Sequence, residues 1–196
     1  MLSQLRKRKN RRGQPVREST VQHYLSAVSA VLSDAKRNEI IQTNPARMID
    51  LPTTNRMEQH IPTVQEVQRL LQALSMEPRH FRVFYLLAMA TGCRRGELCA
   101  LQWQDIDWEQ RSIHICRSAV KITGDEIFVK EPKTRSGDRY VYFSAQMENL
   151  LREYRRACQY ITTIYDEREL DTNDFLFRRQ GTRLPMTPTT FTWRFK

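Results

Sequence analysis

Arg94 and Arg95 stand together in the run Ala90 to Trp108, "ATGCRRGELCALQWQDIDW", just after Gly92 and beside the apolar stretch Phe81 to Ala90. Unpaired charge next to an apolar segment is costly, so the two arginines ask for an anionic partner. A helix that starts just after Gly92 would present free N–H groups and the positive end of its dipole. An arginine there can grip an anion with two parallel N–H groups while its stem packs on apolar neighbours. Glu97 follows Arg94 by three residues, within reach across one helical turn, and would fix the guanidinium. The anion that suits this arrangement is a phosphate. The same spacing also suits an ordinary ion pair on a solvated helix face.

Lys133 is the second candidate. The segment "EPKTRSGDRYVYF" sets it where a strand ends and a tight turn begins. A lysine there either solubilises a hairpin tip or swings into a groove as a general acid. His114 and Arg117, in "HICR", have a spacing that imitates a catalytic pair. They fall on an alternating strand, where residues three apart face opposite sides, so they do not converge. His23, His60 and His80 show no metal-ligand spacing, and Cys93, Cys99, Cys116 and Cys158 make no C-x-x-C pair. No metal site is expected. The cysteines lie in apolar periodic segments, as reduced, buried thiols do. Asp105 and Asp107 read as turn and cap residues. No Gly-rich phosphate loop and no G-x-S-x-G is present.

These residues need elements to position them. "STVQHYLSAVSAVLSDAKRN" places Val21, Tyr24, Leu25, Val28, Leu32 and Ala35 at helical spacing, with Ser19 or Thr20 as cap. Asn44 and Pro45 open a short second helix. Two such helices cannot bury their faces alone and call for further helices. "LPTTNRMEQHIP" fits no period and reads as a linker. Thr63 and Glu66 form a capping box before a helix whose stripe is Val64, Val67, Leu70, Leu71 and Leu74. Phe81 to Gly92 is apolar nearly all round, so the reading is a central, buried helix closed by a left-handed Gly92. Arg94 to Leu101 reads as a short third helix.

From Arg111 the period changes to two. "RSIHICRSA", "EIFVKEP" and "RYVYFS" alternate polar and apolar residues, with turns between them. Ser144 caps a helix that carries Met147, Leu150, Leu151, Tyr154 and Cys158, and Thr187 and Pro188 open a last helix. The expected fold is α+β: mainly helical, with a small three-stranded antiparallel β-sheet.

The chain has 196 residues, 32 Lys+Arg against 22 Asp+Glu, and a formal charge of +10. That excess predicts affinity for a polyanion, although a solvated basic surface accounts for it equally well. The densest run is Arg6, Lys7, Arg8, Lys9, Arg11 and Arg12, which reads as a solvated tail or as an arm that tracks phosphates. No segment has the length of a membrane span or the apolar run of a signal peptide, so the expected location is cytoplasmic.

"TGCRRGELCALQWQDID" resembles the first box of the tyrosine recombinases, the phage-integrase family, through Thr91, Gly92, Arg94, Glu97, Leu98, Leu101, Trp103, Asp105, Ile106 and Asp107. Lys133, Thr134, Gly137 and Arg139 resemble that family's β-hairpin lysine segment. The resemblance implies a recombinase that cuts and rejoins double-stranded DNA through a phosphotyrosyl bond, with no cofactor and no small-molecule substrate. Arg94 would hold the scissile phosphate, Glu97 would support it, and Lys133 would protonate the leaving 5′ oxygen. The basic arm, with Arg95, Arg135 and Arg139, would contact DNA. The resemblance also implies three parts: residues 1–55 from a helical core-binding domain, a linker at 56–62, and residues 63–196 from the catalytic domain. The family pattern continues with His-x-x-Arg, then His or Trp, then the nucleophilic Tyr. The 196 residues do not contain that continuation, so the chain reads as a fragment of a mobile-element integrase that does not cleave DNA alone. A homo-oligomer on DNA is expected of the full-length protein. The alternative is a DNA-binding remnant without catalysis.

Overall fold

A computed structural model of the chain describes residues 7–9, 13–49, 60–122, 124, 126–132 and 137–195. It divides into two compact units, Met1–Ile61 and Pro62–Lys196.

In the first unit, helix α1 spans Glu18–Arg37 and a 3₁₀ helix spans Pro45–Met48. Helix α1 starts before the expected cap: Arg17 occupies the N-cap, and neither Ser19 nor Thr20 caps it. Asn44 is the clasp of the unit. Its side-chain oxygen accepts from the Ala46 N–H at 3.0 Å, and its Nδ2 donates to the Ser29 carbonyl at 2.9 Å and the Ser33 hydroxyl at 2.8 Å. A cap that also bonds the preceding helix sets the angle between two short elements. Val21 and Leu25 are buried, whereas Tyr24, Val28 and Val31 on the same helix are exposed.

The second unit begins with α2 (Val64–Ser75), whose Thr63–Glu66 capping box is formed. Its apolar stripe is mostly open, and only Leu74 is buried. Helix α3 (Arg79–Thr91) ends at Gly92, which takes φ 62° as the left-handed cap. It buries Val83, Phe84 and Leu87 but leaves Met89 exposed, so its apolar character is not matched all round by burial. Helix α4 (Arg95–Cys99) is a single tight turn and more, followed by a 3₁₀ turn at Trp103–Asp105. Helix α5 (Ala145–Tyr165) starts at Ser144, whose hydroxyl accepts from the Met147 N–H. Helix α6 (Pro188–Phe195) starts one residue after Thr187.

The strands are β1 (Ile106–Asp107), β2 (Ser112–Ile115), β3 (Ser118–Lys121), β4 (Ile127–Lys130) and β5 (Arg139–Tyr142). A three-stranded antiparallel sheet exists, in the order β1-β2-β5, but its membership differs from the expected one. The run "RSIHICRSA" breaks at Cys116–Arg117 into two strands. Strand β3 then pairs with β4 in a separate hairpin, with Ala119 opposite Val129. Alternation reports that a segment is a strand but not which neighbour it joins. Here Arg117 grips the buried Asp105 with one nitrogen, at 2.5 and 2.7 Å, and β3 lies against α4 instead of β5.

The core of this unit joins Leu98, Cys99, Leu101, Trp103, Ile113, Ile115, Leu151, Phe177 and Phe191. Phe191 of α6 stacks on Phe84 of α3, and Phe177 meets both edge-on. The Tyr85 hydroxyl donates to the Phe191 carbonyl at 2.5 Å, so α6 is tied down by both packing and hydrogen bonding.

Candidate functional site

Gly92 ends α3 and turns the chain, and two residues later Arg94 sits in extended conformation as the N-cap of α4. The helix therefore begins at Arg95, not Arg94. At five residues it is too short for a sizeable dipole, so any anion here is held by side chains more than by the helix end.

Glu97 organises the site. It is 5% exposed, and its carboxylate faces two guanidinium groups. Oε1 accepts from Arg94 Nη1 at 2.8 Å, and Oε2 accepts from the Arg94 backbone N–H at 2.9 Å. Arg139, the first residue of β5, donates Nη2 to Oε2 at 2.7 Å and Nη1 to Oε1 at 3.3 Å. Burial pushes the Glu97 carboxyl up, but the hydrogen bonds from Arg139 and Arg94 outweigh it and hold the group at about 2. The carboxylate is thus ionised at any physiological pH. Arg94 keeps a side chain 77% exposed while one of its nitrogens is anchored. An anchored, outward guanidinium is pre-organised to meet an anion from solvent, because little rotamer freedom is left to lose.

Gly96 permits this arrangement. A Cβ built there would lie 2.6 Å from the Ser118 hydroxyl and 2.8 Å from the Ala119 carbonyl oxygen, so α4 meets β3 at a distance only glycine allows. Sequence reading passed over Gly96, since its φ is ordinary and the constraint comes from a partner strand. Asp105 was read as a turn residue, and it does accept the Gln102 N–H at 2.7 Å. It is also the buried partner of Arg117, which sequence spacing did not show.

The other expected residues separate. Arg95 is exposed and donates to the Thr192 hydroxyl on α6. Lys7, Arg8 and Lys9 are exposed in the first unit, where the Val16 N–H donates to the Arg8 carbonyl. Arg6, Arg11, Arg12, Lys133 and Arg135 lie outside the described residues. The described residues that flank Lys133 approach closely: a Cβ on Gly137 would lie 2.5 Å from the Pro132 Cβ. His114 and Arg117 diverge. His114 Nε2 meets Asp138 at 2.7 Å and its ring stacks on Tyr140, while Arg117 turns to Asp105. Tyr154 is buried with its hydroxyl donated to the Leu176 carbonyl, whereas Tyr160 and Tyr165 are exposed on α5. All four cysteines are free, and burial pushes the Cys99 thiol up to about 12. Among the described residues no group of His, Cys, Asp and Glu could hold a metal ion. Among them no helix is long and apolar enough to cross a membrane.

The chain and its fold have relatives among known proteins. The chain is 27% identical over 138 residues to the ICEBs1 integrase of Bacillus subtilis, covering 70% of the chain and 37% of that protein. It is 28% identical over 149 residues to the prophage integrase IntR of Escherichia coli, covering 76% and 34%. The chain thus spans about a third of the length of these relatives. Its fold is similar to that of the Tn1549 transposon integrase, solved with a circular intermediate DNA, at a TM-score of 0.68 and 22% identity over 88% of this chain and 54% of that one. It is also similar to the lambda integrase bound to DNA, at a TM-score of 0.54 and 17% identity over 91% and 55%. The family model described as the phage integrase family matches residues 62–196, the whole second unit, and the chain therefore belongs to the phage integrase family.

Proposed function

We propose that this chain is the phosphate-holding part of a site-specific DNA recombinase of a mobile element, which breaks and rejoins strands through a phosphotyrosyl intermediate. The observation that carries this reading is Arg94: exposed, yet held at one edge by a buried carboxylate that is itself ionised. A scissile phosphate gains most from a cation whose position is set before it arrives. In this reading Lys133 is the general acid, and Glu97 supports Arg94. Residues 1–55 belong to a core-binding domain, 63–196 to the catalytic domain, and the full-length protein works as a homo-oligomer on double-stranded DNA. The formal +10 supports a polyanionic partner.

The first test is a binding titration of the chain on a duplex at two salt concentrations. Affinity should fall by about 10³ or more between 50 and 200 mM salt if six or more phosphates are contacted. Salt-independent binding, or none at low salt, refutes a DNA partner. The second test is strand cleavage by the full-length protein on a nicked duplex. Arg94→Ala should abolish the covalent protein–DNA adduct and leave overall affinity nearly unchanged. Cleavage that survives refutes the role of Arg94. A full-length protein that binds DNA and never forms the adduct supports the second reading, a DNA-holding remnant.

A further inference from the structure

The expected role of Arg139 was a direct contact with DNA, yet its guanidinium is turned inward. Both of its terminal nitrogens face the Glu97 carboxylate, and Nη2 also points at the Cys93 sulfur at 3.9 Å. A phosphate that took both terminal nitrogens of Arg139 would have to displace the buried carboxylate that they hold with two hydrogen bonds. We propose that Arg139 is a positioning residue that acts through Glu97 to keep Arg94 oriented toward a phosphate with its charge uncompensated.

Glu97 offers two oxygens and must satisfy three donors besides its own packing: the Arg94 backbone N–H, the Arg94 guanidinium and the Arg139 guanidinium. With Arg139 present, the carboxylate is locked in plane by a two-point contact, and the Arg94 guanidinium donates it one hydrogen bond from one nitrogen. Among the described residues Arg94 has no other carboxylate partner. Without Arg139, Glu97 would turn its whole charge to Arg94, and the two would neutralise each other where an anion must dock. The second guanidinium leaves the cluster with a net positive charge. Arg139 also opens β5, directly after Gly137 and Asp138, so the same contact ties the start of that strand to α4. This inference rests on reading Arg94 as the phosphate-holding residue.

The test is arginine side-chain ¹⁵N NMR of the chain, combined with duplex titrations at two salt concentrations, for the parent, Arg139→Met and Arg139→Lys. The expected result is that Arg139→Met shifts the Arg94 Nε–Hε resonance and lowers the salt slope of DNA binding together with it, and that Arg139→Lys, which restores the charge, moves both back toward the parent. A slope shallower by about 0.9 while the Arg94 resonance stays in place shows that Arg139 itself neutralises a phosphate and overturns the proposal. An Arg94 resonance that stays in place overturns it too, because Glu97 would then hold Arg94 unaided. If Arg139→Met fails to fold, Arg139→Gln is read in its place. The Arg94 signal should then shift while Glu97 is intact, and an unchanged signal again overturns the proposal. If no variant binds DNA at low salt, the functional reading fails while the NMR comparison still decides the role of Arg139.

Discussion

Gly96→Ala is the sharpest test of how α4 is seated, because two effects of opposite sign compete in it. Alanine favours a helix interior over glycine by about 1 kcal/mol, so propensity alone predicts a gain in stability. The structure predicts the reverse. The new methyl would lie 2.6 Å from the Ser118 hydroxyl and 2.8 Å from the Ala119 carbonyl oxygen, against an ordinary contact of roughly 3.5 Å. The hydroxyl can rotate away, but the carbonyl belongs to β3, which is held to β4 along its length. Overpacking of this kind costs about 1–3 kcal/mol, and a backbone obstacle belongs near the upper end. The net expectation is a loss of about 1–2 kcal/mol, or a fall in Tm of roughly 2–8 °C for a unit of this size. Thermal and urea unfolding of the parent, Gly96→Ala and Gly96→Ala with Ser118→Ala would decide it. The double variant removes only the rotatable obstacle, so it should recover a minor part. A Gly96→Ala chain as stable as the parent, or more so, would mean that propensity wins and that α4 does not press on β3.

Glu97→Gln keeps the shape of the carboxylate and removes its charge, and it should destabilise the second unit by about 2 kcal/mol in urea unfolding near neutral pH. In the parent, the Glu97 carboxyl is held at about 2 against an ordinary value of 4.5, so the folded state releases this proton more readily than the unfolded chain. Its stabilisation is full above pH 4.5 and is lost as pH falls through about 2, and Glu97→Gln should flatten that part of the acid-unfolding curve. Arg117→Met strands the buried Asp105 without its cation and should cost about 3 kcal/mol by the same assay, whereas Asp105→Asn together with Arg117→Met should recover much of the loss. Cys99, buried with its thiol pushed up to about 12, should resist a thiol reagent at pH 8 in the folded chain and react on unfolding.

Local chemistry was legible wherever the cause was local. The capping box at Thr63, the left-handed Gly92, the Asn44 cap and the Ser144 cap each depend on residues within a few positions, and each stands where spacing put it. The Arg94–Glu97 contact was legible for the same reason, being one helical turn long. Strand partners were not. Alternation marked β2, β3, β4 and β5 as extended, but the split at Cys116–Arg117 depends on Asp105 and on the surface of α4, both distant in sequence. The apolar stripe of α2 predicted burial that only Leu74 receives, since periodicity shows that a face is apolar and not that something covers it.

The amino-acid order alone determined where the helices lie, the caps at Asn44, Thr63, Gly92 and Ser144, the basic excess and the box from Thr91 to Asp107, because these follow from spacing and side-chain type. Only the tertiary structure decided that Arg139 faces Glu97 rather than solvent, that His114 and Arg117 part company, and that Gly96 cannot carry a side chain. The physical reason is the same in each case. These outcomes are set by which group, 12 to 42 residues away, comes within hydrogen-bond or van der Waals distance, and no local pattern encodes that distance.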